Sequence, residues 1–423
     1  MKRYLVFMFS MMAIVLSACQ PVGPAKPTHE VSLPSGSVEL YPVDNQTTPD
    51  FELSYTPEGC VENFEPGVNY FPKQATVNYA QGFSIEYHDN YKLLTVTQPW
   101  AGADQSFQYI LLQCGTPLPE KLNDAMVIEV PIRSLVTMST TYFSFLEQVG
   151  VLDALVGVDD LTYVYNERVH EMAKNDQIQV VGGGAGGGVA SVETLIELDP
   201  DVIMTSASGY ADYDAHPKLL EAGLPVVING DYVENTPLGR AEWGKFIAAF
   251  FNKEVEAEKQ FNEMAGRYEA LKTLTAGLEE KPSVFVNTDF QGSWYMPGGE
   301  SYAAILLKDA GADYLWADSE GTGAMPYSFE QVYELALEAD FWLNVGFASE
   351  LGSLLAMDER YADFSAFRSG NVYNYSARVN ANGGSDYFES GVAQPDVILA
   401  DLISIFHPGL LTDHLLVYYM KLQ

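Results

Sequence analysis

Between residues 126 and 423, short apolar runs alternate with longer amphipathic stretches, and this alternation limits the fold more than any other feature of the chain. Ser134 to Met138 is followed by a helical stretch near Tyr142 to Val149, and then by Val156-Gly157-Val158. Val202-Ile203-Met204 and Val226-Val227-Ile228 continue the series. Strand and helix patterns in this order describe a parallel sheet covered by helices. After Pro282 the texture restarts with Val284-Phe285-Val286, Phe341 to Val345 and Val372-Tyr373. Between the two series, Arg240 to Leu274 is dense in Ala, Glu, Lys and Phe without a proline, which predicts one long helix. The fold class is α/β, with two lobes joined by that helix.

An N-terminal β-rich module precedes the lobes. Phe83 to Tyr87 alternates in polarity, His88-Asp89-Asn90 supplies a turn, and Lys92 to Thr97 reads as the partner strand. Phe107 to Leu112 is a third strand, ending near Cys114. Cys60 and Cys114 are an even pair once Cys19 is set aside, and no CxxC or histidine cluster accompanies them. They are expected to form a disulfide, worth about 4 kcal/mol through loop closure. The expected boundaries are 1–18 for a signal segment, 19–55 for a flexible tether and 56–125 for the β-rich module. The first lobe follows at 126–239, the connecting helix region at 240–277 and the second lobe at 278–423.

The first residues carry an address. Lys2 and Arg3 precede an apolar run from Tyr4 to Leu16 that is too short to span a membrane as a mature helix. Leu16-Ser17-Ala18-Cys19 then resembles a bacterial lipoprotein signal, which implies lipidation of Cys19 and an extracytoplasmic chain held by acyl groups. The formal charge of −35 argues against a phosphate-neutralising surface for nucleic acid and against a polybasic membrane patch. The membrane is therefore expected as a partner through the lipid anchor only.

An internal echo links the lobes. Ser191-Val192-Glu193-Thr194-Leu195-Ile196-Glu197-Leu198 and Ser328-Phe329-Glu330-Gln331-Val332-Tyr333-Glu334-Leu335 share Ser, Glu, Glu and Leu at the same offsets. Each serine can cap a helix, the second, fifth and sixth positions can bury one apolar face, and the glutamates share the opposite face. An aspartate and a short apolar strand follow each, at Asp201 and Asp340.

Taken with Val136 to Tyr142, Leu198 to Ile203, Glu221 to Val226 and Ser385 to Glu389, these segments resemble the substrate-binding proteins of ABC importers. More narrowly, they resemble the group that delivers iron–siderophores, haem or cobalamin. The resemblance spans about residues 126 to 420. It implies two Rossmann-like lobes, a cleft between them, and one surface glutamate per lobe, Glu193 and Glu330, docking on an ABC permease that works with its ATPase. It also implies a monomer that is not an enzyme, needs no cofactor or metal of its own, and carries a ligand containing iron or cobalt.

Open α/β sheets place ligands at the carboxyl ends of their strands. On that rule the first lobe contributes Ser139, Thr140, Tyr142, Tyr210 and Tyr232, with Ser206 and Ser208 nearby. The second lobe contributes Trp294, Tyr295, Arg378, Asn380, Tyr387 and Phe388. Aromatic residues suit a flat macrocycle or aromatic chelate, because they bury large area at low entropy cost. Only Arg378 and Arg240 are basic candidates, which tilts the reading toward a neutral or cationic ligand. The run Gly182 to Gly188 lacks the GK[ST] ending of a nucleotide loop and reads as a loop at the cleft mouth. The six histidines show no metal-ligand spacing. Competing classes are a secreted carbohydrate-active hydrolase and a surface lipoprotein without a transport role. Neither a GxSxG elbow nor an HExxH motif is present, and 57 acidic residues create carboxylate pairs by chance.

Overall fold

A computed structural model describes residues 59–119, 125–182 and 190–423. Cys19, the tether and most of the glycine run lie outside the described residues. The N-terminal module is a four-stranded sheet in the order β1-β2-β3-β4. It comprises β1 (Phe83–Tyr87), β2 (Tyr91–Val96), β3 (Phe107–Gln113) and β4 (Met126–Val130). The first two strands form the expected hairpin, pairing Tyr87 with Lys92 across the His88-Asp89-Asn90 turn. The boundary expected at 125 shifts, because Met126–Val130 pairs in parallel with β3 and so belongs to this sheet. Cys60 and Cys114 are joined, with an S–S distance of 2.08 Å across 54 residues of sequence.

The module shares its core with the first lobe. Phe83, Leu94, Val96 and Leu111 pack in one cluster with Trp243, Phe246 and Phe250. The Phe83 ring lies 4.7 Å from that of Trp243. Carboxylates complete the join. Glu242 accepts the backbone N–H groups of Asn78, Tyr79 and Ala80 at 3.0, 2.6 and 2.8 Å. Glu234 accepts those of Gln81 and Gly82 at 2.8 and 2.7 Å. A Cβ at Gly82 would lie 2.9 Å from the Trp243 ring, so the close approach requires glycine.

The first lobe holds a parallel sheet in the order β7-β6-β5-β8-β9. Its strands are β5 (Leu135–Thr137), β6 (Leu155–Val158), β7 (Gln179–Val180), β8 (Val202–Thr205) and β9 (Val226–Ile228). The second lobe begins with β10 (Ser283–Val286), β11 (Asp289–Phe290), β12 (Ser293–Pro297) and β13 (Asp313–Tyr314). It continues with β14 (Ala324–Tyr327), β15 (Phe341–Leu343), β16 (Val372–Asn374) and β17 (Met420–Lys421). Its main sheet runs β13-β10-β15-β16-β17, parallel except for β17, and β11-β12-β14 forms a small antiparallel sheet.

The echo has a structural basis. Ser191 and Ser328 both accept a backbone N–H as helix N-caps, and Gln331 closes a capping box with Ser328. The following aspartates lock equivalent strand pairs. Asp201 Oδ2 accepts from the Ser134 N–H at 2.9 Å while its own N–H donates to Ser134 Oγ. Asp340 Oδ2 accepts from the Ser283 N–H at 2.8 Å, and its N–H donates to Ser283 Oγ. These reciprocal pairs hold β5 against β8 and β10 against β15. One expectation differs: Ile196, at the sixth position, is 56% exposed, because the short helix buries only Leu195 fully.

The predicted long helix is two helices, Pro237–Ala249 and Glu254–Thr275. Tertiary partners make the break. Lys92 Nζ donates to the Ala249 carbonyl at 2.6 Å, and the Ile132 N–H donates to that of Phe250 at 2.9 Å. Asn252 turns the chain with φ of 53°. Its side chain accepts from Lys92 and donates to Gln113. The carbonyls at this helix end therefore face the β-rich module instead of continuing the ladder.

Candidate functional site

The carboxyl ends of the two lobe sheets meet at one seam. After β5, Ser139 caps the turn Thr140–Tyr142, whose backbone packs against the short helix Asp386–Glu389 of the second lobe. After β9, Asp231 and the helix bearing Arg240 reach Tyr302. The Arg240 guanidinium lies 5.2 Å from the Tyr302 ring centroid, and its Nε donates to the Asp231 carbonyl at 3.1 Å.

From the second lobe comes a nest of aromatics. Tyr375 stacks on Tyr387 at 4.8 Å, and Phe388 meets both edge-on at 5.1 Å. Tyr419 lies perpendicular to Tyr387 at 5.9 Å and donates its hydroxyl to Asn344 Oδ1. Asn287 and Asn344 occupy the left-handed region with φ of 64° and 59°, directly after β10 and β15, and turn both strands into the seam. Burial pushes the Tyr302 hydroxyl up to about 12 and that of Tyr387 well above its ordinary range. These phenols remain neutral hydrogen-bonding groups.

A second strap ties the lobes together. Asn380 Nδ2 donates to the Thr162 and Val164 carbonyls at 3.0 and 2.9 Å. The Tyr165 N–H donates to Glu389 Oε2 at 2.9 Å. Arg378 Nε lies 2.8 Å from Asp386 Oδ2, with the guanidinium 5.4 Å from the Tyr165 ring.

The predicted site residues divide. Ser139, Thr140, Tyr387, Phe388 and Arg378 gather at the seam. Tyr210 and Tyr232 stand at its outer side on the loops after β8 and β9, 55% and 41% exposed, with the Tyr232 hydroxyl donating to the Ala207 carbonyl at 2.6 Å. Ser208 is committed to Asp214 at 2.7 Å. Tyr295 is half-buried on β12.

Two assignments need correction, and a third, Tyr142, needs narrowing to its hydroxyl. Trp294 does not reach a cleft. It is fully buried in the second lobe's core among Phe285, Trp342 and Tyr361, with Nε1 donating to the Val286 carbonyl at 2.8 Å. The Tyr142 ring is likewise core, and only its hydroxyl bears on the seam, where Asp231, Asp159 and Tyr232 act on it electrostatically. Asn380 spends both ends of its amide within the protein, since Oδ1 accepts from the Asn382 and Gly384 N–H groups.

Sequence reasoning missed Asp231, Tyr302, Tyr375 and Tyr419. The strand-end rule could have found Tyr375, which directly follows β16. Nothing local marks Tyr302 or Tyr419, because a helix start and the chain's tail reach the seam only through packing.

Two doubly covered lobes meeting at their strand ends define a bilobal binding fold. A profile of the periplasmic binding protein family matches residues 135–379, and the chain belongs to that family. Among its relatives is an uncharacterised lipoprotein of Methanocaldococcus jannaschii, 27% identical over 388 residues, covering 83% of this chain and 89% of the relative. A solved periplasmic binding protein from Veillonella parvula is similar in fold, with a TM-score of 0.52 at 15% identity, covering 77% of this chain and 98% of that one. A possible iron-binding, periplasmic solute-binding protein from Staphylococcus epidermidis matches with a TM-score of 0.50 at 16% identity, covering 65% and 98%.

Proposed function

We propose that this chain is the extracytoplasmic receptor of an ABC importer, tethered by a lipid on Cys19, which captures an iron-siderophore-type, haem or cobalamin ligand between its lobes. The observation that carries this reading is the aromatic seam: Tyr302, Tyr375, Tyr387 and Phe388 gather where both sheets end, as a flat ligand needs. The receptor performs no chemistry. Ligand enters the cleft, the lobes adjust about the two-helix connection, and the loaded form docks on a permease whose ATPase drives import.

Glu193 and Glu330 suit the docking role. Both stand exposed in the first turn of their capped helices, one per lobe. An exposed aliphatic side chain shares each helix: Ile196 on the first and Leu335 on the second, the latter 50% exposed. Two separated ion pairs contribute little affinity singly but fix orientation.

The test is calorimetric titration of the protein truncated after Cys19 with ferric siderophores, haemin and cobalamin. Saturable one-to-one binding at micromolar affinity or tighter supports the receptor reading. Flat titrations across the panel overturn it for this ligand class.

A further inference from the structure

The charge of the seam narrows what it can hold, on the receptor reading above. Among the described residues, two arginines contact aromatic rings across the seam; Arg378 is paired with a carboxylate of its own lobe, and Arg240 is bonded to a backbone carbonyl. Arg378 is paired with Asp386 at 2.8 Å. Arg240 lies on Tyr302 and its Nε donates to the Asp231 carbonyl; burial holds the Asp231 carboxyl above its ordinary range, and the Arg240 charge draws it back. Against these two cations stand Asp159, Asp231 and Asp386, each less than 9% exposed.

A second observation points the same way. Tyr142 is fully buried and Asp231 is 3% exposed; the Asp231 carboxyl group takes bonds from the Tyr232 N–H and the Thr141 side chain, yet its Oδ2 and the Tyr142 hydroxyl have no hydrogen-bond partner. The two groups interact electrostatically at the carboxyl ends of β5 and β9. Orphaned polar atoms cost about 1–3 kcal/mol each; a donor supplied from outside the chain would satisfy Asp231 Oδ2, and a group that both donates and accepts, such as a hydroxyl or amide, would satisfy the Tyr142 hydroxyl as well. An anionic chelate would bring oxygen acceptors toward the Asp231 carboxyl group, with the Arg378 guanidinium already paired with Asp386.

We infer that the cargo carries no net negative charge and presents a cationic or hydrogen-bond-donating group to Asp231 and Tyr142, its flat face lying against Tyr302, Tyr375 and Tyr387. Within the classes proposed above, this selects a cationic ferric trihydroxamate or a corrinoid, and disfavours haem with its two propionates and a triply negative ferric tris-catecholate.

The experiment titrates the truncated protein with ferrioxamine B, cyanocobalamin, haemin and a ferric tris-catecholate, at low and high salt. Asp231→Asn and Tyr142→Phe are titrated in parallel, with thermal melts reporting folding. Binding confined to the cationic or neutral members supports the inference, as does a loss of about ten-fold or more in Asp231→Asn. Tyr142→Phe, which removes one hydroxyl from an otherwise unchanged ring, should weaken the same ligand several-fold if Asp231→Asn fails to fold. Haemin or the catecholate binding as tightly as the others overturns the charge inference while leaving the receptor reading intact. Unchanged affinity in a folded Asp231→Asn overturns the assignment to Asp231. Absence of any binder overturns the receptor reading for this ligand class, and this inference with it.

Discussion

Glu389 of the second lobe accepts the backbone N–H of Tyr165 in the first at 2.9 Å, and this bond sits where the lobes are strapped together. Burial pushes the Glu389 carboxyl from 4.5 up to about 8, and the neighbouring Asp386 and Glu147 carboxylates push it the same way. Arg378 faces Asp386, and backbone N–H groups of Tyr165 and Asn166 pull the value back. An acid with a raised folded-state pKa holds its proton longer in the native state. Its contribution to stability therefore falls as pH rises from about 4.5 toward 8 and levels off above. Glu389→Gln keeps an acceptor for Tyr165 but cannot ionise. It should melt about 2–4 °C or more above the parent at pH 8 and close to the parent at pH 5. Parallel melting curves for both proteins across that range would remove Glu389 as the titrating group.

The β-rich module is attached through a buried cation. Lys92 is fully buried, ion-paired with Glu254, and donates to Ala249 and Asn252 where the connecting helix breaks. Lys92→Met should cost about 3–5 kcal/mol in denaturant unfolding, because Glu254 is left buried and uncompensated. Pairing it with Glu254→Gln should recover much of that loss. A single variant as stable as the parent would show that the ion pair does not hold the module.

Trp294 provides a test that separates core from cleft. Trp294→Ala should destabilise the chain by about 3–5 kcal/mol through the cavity it leaves. Ligand affinity, measured well below the melting temperature, should stay within about two-fold of the parent. A loss of binding without a loss of stability would return this residue to the ligand site.

Reversing the exposed glutamates should separate docking from binding. Glu193→Arg combined with Glu330→Arg should abolish uptake in reconstituted transporter vesicles while leaving ligand affinity unchanged, since both side chains are exposed to solvent. Glu330 also lies 3.6 Å from Arg360 Nη1, an exposed pair that contributes little stability. Collapse of affinity in the double variant would assign both residues to the fold or the cleft.

Much of the architecture was legible from local pattern. Apolar runs such as Val202–Ile203–Met204 and Val284–Phe285–Val286 are strands because nearest-neighbour alternation with helices leaves them few alternatives, and Ser191 and Ser328 cap helices through bonds made within three residues. The repeated aspartate after each of those helices was visible too, but its purpose was not. Asp201 bonds to Ser134 and Asp340 to Ser283 across 67 and 57 residues.

The sequence by itself determined two α/β lobes, the strand ends that face a shared cleft, the hairpin upstream and the pairing of two cysteines. Tertiary structure alone decided that Trp294 is core while Tyr302 and Tyr419 reach the seam, that the connecting helix breaks at Asn252, and that Arg378 of the seam is already paired with Asp386. The division has a physical reason. Periodicity and capping are set by residues a few positions apart. Burial of one aromatic ring, or neutralisation of one charge, depends on which distant segments the packed sheets bring against it.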